Sequence, residues 1–175
     1  MKHVWGYSTL VFWAFSVVQP QRASADLLEF DLNTHAGYVD LEQLESADSS
    51  TLSGSALGVD ARLQIWFLQG IAEYQRVLGE ADLIHLGVGF RPTLELRFMR
   101  LYATSSLGLM VFAPDSRAGD DDTTRGFQAR GGGGVEFLFA DDWLAVGTAI
   151  EFSTHKVGDD WGTGYLFRGY LGLRI

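Results

Sequence analysis

Three side chains at alternate positions, Glu151, Ser153 and His155, are the residues whose types most directly suggest covalent chemistry. An acid, a hydroxyl nucleophile and a base are the parts of a hydrolase. On an extended chain, however, residues i and i+2 sit about 6–7 Å apart, beyond direct hydrogen-bond reach. Their alternative role is the polar filling of an interior. A second group, Asp120, Asp121 and Asp122, joined by Asp159 and Asp160, offers oxygen ligands of the kind that hold Ca²⁺ or Mg²⁺. The spacing matches no EF-hand loop, and a solvated acidic loop accounts for it more simply. His35 and His85 stand alone and do not make a metal ligand set. No cofactor is expected.

The elements that must position these residues follow a period of two. In residues 55–69, Leu57, Val59, Ala61, Leu63, Ile65 and Phe67 alternate with Gly58, Asp60, Arg62, Gln64 and Trp66. That is a strand pattern, and it runs well beyond the five or six residues usual in soluble proteins. The pattern predicts eight strands, near 28–40, 55–68, 71–78, 83–96, 100–112, 126–139, 143–155 and 164–175. The third, 71–78, also fits helical spacing through Ile71, Tyr74 and Leu78. An even count in a closed antiparallel barrel argues for a strand there. The glycine run at 131–134 keeps phase, with Phe127, Ala129, Val135, Phe137 and Phe139 on one face and Gln128, Arg130, Gly132, Gly134 and Glu136 on the other. A linker has no reason to keep phase, and a dinucleotide loop would lead into a helix. Glycine inside a strand marks a bend or the close approach of something bulky.

Alternation alone does not say which face meets water. A soluble barrel turns its apolar face inward; a transmembrane barrel turns it to lipid and fills the lumen with polar groups. The polar face here mixes small residues with Asp60, Arg62, Arg91, Glu95, Arg97, Arg130, Glu136, Glu151, Arg168 and Arg174. After residue 25 the only lysine is Lys156, and arginine is the better partner for carboxylates in a confined space. These ten charges are expected to form a lumen network. The connections are expected to be tight at 69–70, 97–99 and 140–142, short at 79–82, and long and polar at 41–54, 113–125 and 156–164. Such asymmetry is that of outer-membrane barrels. Tyr38, Trp66, Phe67, Phe98, Phe112, Phe139, Trp143, Trp161 and Tyr165 gather near strand ends as candidate interfacial girdles. The fold class is therefore all-β, an eight-stranded antiparallel up-and-down transmembrane β-barrel.

The N-terminus fits an export signal. Lys2 precedes the uncharged run 4–18, and Ala23-Ser24-Ala25 supplies the small residues of a cleavage site. Residues 26–175 are expected to be the barrel domain. Removing 1–25 takes Lys2 and Arg22 from 13 basic side chains and none from 22 acidic ones, leaving 11 against 22 and a net charge of −11. Such a chain has no general basic field for nucleic acid. With no cysteine, it has no disulfides.

Segments such as HLGVGFRPTLEL (85–96) and FADDWLAVGTAIEF (139–152) resemble those of the small Gram-negative outer-membrane barrels of the OmpA, OmpX and OmpW kind. The resemblance covers the export signal and all of 26–175. It implies placement in the outer membrane, contact with its lipid and lipopolysaccharide, insertion by the barrel assembly machinery and a monomer. The C-terminal Ile175 departs from the phenylalanine usual in such barrels. No periplasmic domain is expected after the barrel, and side chains are expected to fill its lumen. Some such barrels are lipid A deacylases, but Ser153-x-His155 reverses their His-x-Ser order. The expected function is non-enzymatic, an envelope-structural or adhesive role carried by acidic loops. A lipid hydrolase and a narrow solute channel are the alternatives.

Overall fold

The computed structural model describes residues 28–42, 51–96, 98–114, 123–157 and 159–175. The expected export signal, Arg97 and Asp120–Asp122 lie outside them. Strands β1 (Glu29–Glu42), β2 (Thr51–Ile65), β3 (Leu68–Val77), β4 (Ala81–Phe90), β5 (Thr93–Leu96), β6 (Met99–Pro114), β7 (Thr124–Phe139), β8 (Leu144–Val157) and β9 (Asp160–Arg174) follow one another in the chain. Every pairing is antiparallel, and β1 closes the sheet against β9. β4 and β5 are two pieces of one barrel strand. Both pair with β6, and the register runs unbroken from Phe90–Ser105 to Thr93–Tyr102. Pro92 interrupts the ladder because it has no N–H to give, although its carbonyl still accepts from Ala103 (3.1 Å). The result is a closed up-and-down barrel of eight strands with no free edge.

Residues 71–78 belong to a strand. β3 pairs with β2 from Ile65–Leu68 to Ala56–Val77. The turn before it is Trp66–Phe67, three residues earlier than the Gln69-Gly70 turn expected from sequence. The helix-like spacing of Ile71, Tyr74 and Leu78 has a plain origin: Ile71 shares the inward face of Gln69 and Glu73, whereas Tyr74 and Leu78 face out.

Three connections differ from expectation. Within the polar segments 41–54, 113–125 and 156–164, the strands run on through 41–42, 51–54, 113–114, 124–125, 156–157 and 160–164. Glu42 still pairs with Thr51, Phe112 with Thr124 and Val157 with Asp160. What reads as loop polarity is the outer face of strands that continue past the membrane. There the outward positions are Asp40, Glu42, Ser53, Arg76, Asp82, Lys156 and Thr163. The inward positions beside them are Val39, Leu41, Leu52, Val77, Leu83, Met110, Phe112, Val157 and Leu166, which form one buried apolar cluster.

The barrel thus reverses its polarity along its axis. Near the turns at 66–67, Phe98 and 140–143 it is apolar outside and charged inside. Near the opposite, loop end it is polar outside and apolar inside. Two aromatic girdles bound the apolar outer band. Trp66, Phe67, Phe98, Phe139 and Trp143 are exposed at the turn end, where Phe67 stacks on Phe90. Tyr38, Tyr165 and Trp161 are exposed toward the loop end, with the first two stacked at 6.3 Å. Phe112 is not a girdle residue: it is 6% exposed and packs inside the apolar cluster. Its even position on β6 is the inward one, shared with Tyr102 and Met110.

Candidate functional site: a charged lumen under an apolar cap

Alternation delivers the charged side chains to the lumen, and cross-strand register decides who meets whom. At the centre, Glu73 and Glu151 interleave with two arginines. Arg168 donates from Nη1 to Glu73 Oε1 (3.0 Å) and from Nη2 to Glu151 Oε1 (2.5 Å). Arg130 Nη1 donates to Glu73 Oε2 (2.6 Å) and lies 3.8 Å from Glu151 Oε2. Beside this square, Asp60 pairs with Arg62 (2.8 Å) and accepts from Asn33 Nδ2 (2.8 Å). His35 sits between Asp60 (3.4 Å) and Glu73 (3.6 Å). All these side chains are buried. Charges taken out of water survive there because each meets an opposite charge in good geometry.

Toward the turn end lies a second knot. Glu136 pairs with Arg91 and with Arg174 Nη2 (3.3 Å) and accepts from the Tyr170 hydroxyl (2.8 Å). Arg91 also approaches Asp31 (3.5 Å) and lies 4.2 Å above the ring centre of Tyr102. Arg174 Nε reaches Glu29 (2.6 Å) and Asp31 (3.0 Å). Arg100 joins Glu29 (2.9 Å) to Glu95 (2.5 Å) at the rim. Of the ten charges expected in the network, nine are described, and eight of those lie in the interior. The ninth, Glu95, is a rim residue with an exposed side chain. Its strand has reached the turn end, where the wall no longer shields it.

Glu29, Asp31, Glu73 and Arg100 are network members that the expected set omitted. Asp31 and Arg100 share the inward parity of their strands, so parity alone would have found both. Glu73 was hidden by the ambiguity of its strand.

Gly134, the last of the glycine run, has its explanation in the same knot, as does Gly147 on the next strand. Tyr102 and Tyr170 point inward from β6 and β9, with their hydroxyls 3.1 Å apart. Gly134 lies opposite Tyr102, and Gly147 opposite Tyr170. A Cβ at Gly134 would collide with the Tyr102 hydroxyl, and one at Gly147 with the Tyr170 ring. The glycines make room for two large side chains in a narrow lumen.

Glu151, Ser153 and His155 all point into the barrel, as parity requires, and Glu151 and His155 are held by different neighbours. Glu151 is held by Arg168. Ser153 is 4% exposed. His155 Nε2 donates to the Glu42 carbonyl (2.6 Å), drawn toward the loop end. His85 lies 3.4 Å from the Ser106 hydroxyl. Asp159 falls in the tight turn between β8 and β9, and Asp160 opens β9.

A closed barrel with hydrocarbon-compatible walls and a paired ionic interior defines a transmembrane β-barrel. Solved structures agree on the fold. Neisserial surface protein A superposes with a TM-score of 0.61 at 14% identity, covering 83% of this chain and 96% of that one. The N-terminal β-barrel domain of Pseudomonas aeruginosa OprF gives a TM-score of 0.50 at 8% identity, covering 82% and 97%. No protein-family model matches the chain, and no curated protein matches its sequence.

Proposed function

We propose that this chain is a non-enzymatic outer-membrane barrel that serves the cell envelope and holds its loops clear of the membrane surface. The observation that carries this reading is the polarity reversal. The charged lumen ends beneath Leu41, Leu83, Met110, Phe112 and Leu166, so the protruding part has a dry core of its own. A barrel built to pass solutes would keep a wet path past that level. A protruding, well-packed rim is a rigid stand for the segments that join its strands. Those segments are acidic, with Glu45 and Asp48 in one and Asp115 and Asp120–Asp122 in another. Contact with a surface ligand through them is the finer part of the proposal. The similarity to a neisserial surface protein is consistent with such a place. Export through cleavage after Ala25 and insertion by the assembly machinery complete it.

The test is expression in a Gram-negative host, isolation of outer membranes, and detergent gels with and without boiling. A mobility shift in the outer-membrane fraction is expected. A soluble periplasmic product without a shift would reject the reading. Cysteine placed at Ser49 should react with an impermeant maleimide on intact cells, and protection there would invert the orientation.

A further inference from the structure

A shallow apolar groove of about 600 Å³ crosses the outer wall of the lipid-facing half. Its floor is made of small outward residues, Ala61, Gly70 and Ala72, and Leu86 and Leu107 help to wall it. Its ends lie at different heights. Phe127 stands near the loop-end start of β7, and Phe30 near the turn-end start of β1. The groove therefore slants along the hydrocarbon-facing wall.

Its upper end meets positive charge. Phe127 pairs in register with Lys156, and Lys156 with Trp161 on the next strand. The Lys156 ammonium lies 6.0 Å from the Trp161 ring centre. Arg125 is exposed two residues beyond Phe127 on the same outward face. Neither cation has a carboxylate partner among the described residues, unlike Arg76 on β3, which meets Asp82 at 3.4 Å. Lys156 is registered against Trp161 of the upper aromatic girdle and Arg125 lies two residues beyond Phe127, so both stand at the outer edge of the apolar band, where lipid headgroups lie.

We infer that Arg125, Lys156 and the groove below them form a binding site for a lipid with a negatively charged phosphate headgroup. The inference rests on the membrane-barrel reading above. The phosphate oxygens accept hydrogen bonds from both cations. One acyl chain lies over Ala61, Gly70 and Ala72, where a recessed floor gives it more contacts than a flat wall would. Hydrocarbon is the medium this wall faces, so the occupant is drawn from the membrane itself.

The full barrel, refolded in a neutral detergent, is titrated with dioleoyl phosphatidic acid or dioleoyl phosphatidylcholine, and bound lipid is counted by native mass spectrometry. The wild type should retain phosphatidic acid about tenfold better than phosphatidylcholine, since two interfacial cations act on its charge. The double variant Arg125→Gln/Lys156→Gln should bring the two lipids to parity. Ala72→Leu, which fills the groove without touching the cations, should weaken retention of both. Inorganic phosphate should not displace the lipid.

Equal retention of the two lipids by the wild type would overturn the site, as would adducts unchanged in both variants. Displacement by free phosphate would reduce it to a surface anion contact and overturn the lipid assignment. A wild-type dimer that Ala72→Leu dissociates, with lipid retention unchanged, would give the groove to a second copy instead. Boiling-dependent gel mobility of each protein separates these outcomes from failure of the barrel reading. A wild type without the shift rejects the barrel and the site together; a shifted, lipid-indifferent wild type rejects the site alone.

Discussion

Near the turn end of β2, Leu63 faces outward at 46% exposure and Arg62 inward at 3%. Near the loop end of the same strand, Ser53 faces outward and Leu52 inward at 6%. The backbone and the period do not change between the two places. What changes is the medium outside. In the membrane half, hydrocarbon rewards apolar side chains on the outer wall, and the small lumen has to satisfy the charges that remain. Past the upper girdle the outer wall meets water, and the hydrophobic effect again drives apolar groups inward. One continuous sheet contains an inverted core and an ordinary one, and their responses to substitution should differ.

The largest difference should come from removing one partner of an interior pair. Glu73→Ala leaves Arg130 and Arg168 short of a carboxylate in the lumen. The expected loss is about 3–5 kcal/mol, read from urea titration of the barrel in lipid vesicles. Replacing Glu73 and Arg130 together by apolar residues of similar volume should recover much of it. A Glu73→Ala barrel as stable as wild type would mean that the lumen is wet enough to solvate the arginines.

Cutting into the cap should cost a similar or slightly smaller amount by another mechanism. Leu41→Ala opens a cavity in a dry, closely packed cluster and should cost about 2–5 kcal/mol. On the lipid-facing wall, Phe152→Ala should cost clearly less, because acyl chains fill the space. Equal penalties for the two would erase the distinction between a cap with its own core and a wall solvated by lipid.

A charge scan of the outer face sharpens the boundary. Ile150→Arg lies between the two girdles and should cost about 2–4 kcal/mol. Ser53→Arg, beyond the upper girdle and paired in register with Asp40, should be close to neutral. If both substitutions cost the same, the hydrocarbon band extends further up the barrel than the girdles indicate.

The smallest effect concerns the fit of the lumen. Gly134→Ala pushes a methyl group against the Tyr102 hydroxyl and should destabilise by about 1–3 kcal/mol. Tyr102→Phe in that background removes the clashing oxygen and should return part of the loss. No recovery would place the strain in the backbone of β8, whose Thr148 carbonyl also lies close to that methyl position.

Much of this architecture is legible in the sequence, for identifiable reasons. Strict alternation in residues 55–69 and 143–155 fixes strand and facing together, because a slip of one residue would exchange the two walls. Arg62, Arg91, Arg130 and Arg168 are found by parity alone. The same rule applied to its ends would have found Asp31 and Arg100. Phe112 was misplaced because an aromatic residue near a strand end looks the same in sequence whether it faces lipid or a dry cap.

What the residues determine by themselves is therefore the period, the facing of each side chain and a wall apolar enough for hydrocarbon, since these depend only on local geometry and composition. Only the tertiary structure decided that Asp40–Glu42, Ser53 and Lys156–Val157 belong to strands that outlast the membrane. It also decided that Glu73 lies between Arg130 and Arg168, and that Gly134 makes room for Tyr102. Partners across a closed barrel are set by the register of all its strands at once, and the point where an alternating pattern exchanges inside for outside is set by where the surrounding medium changes.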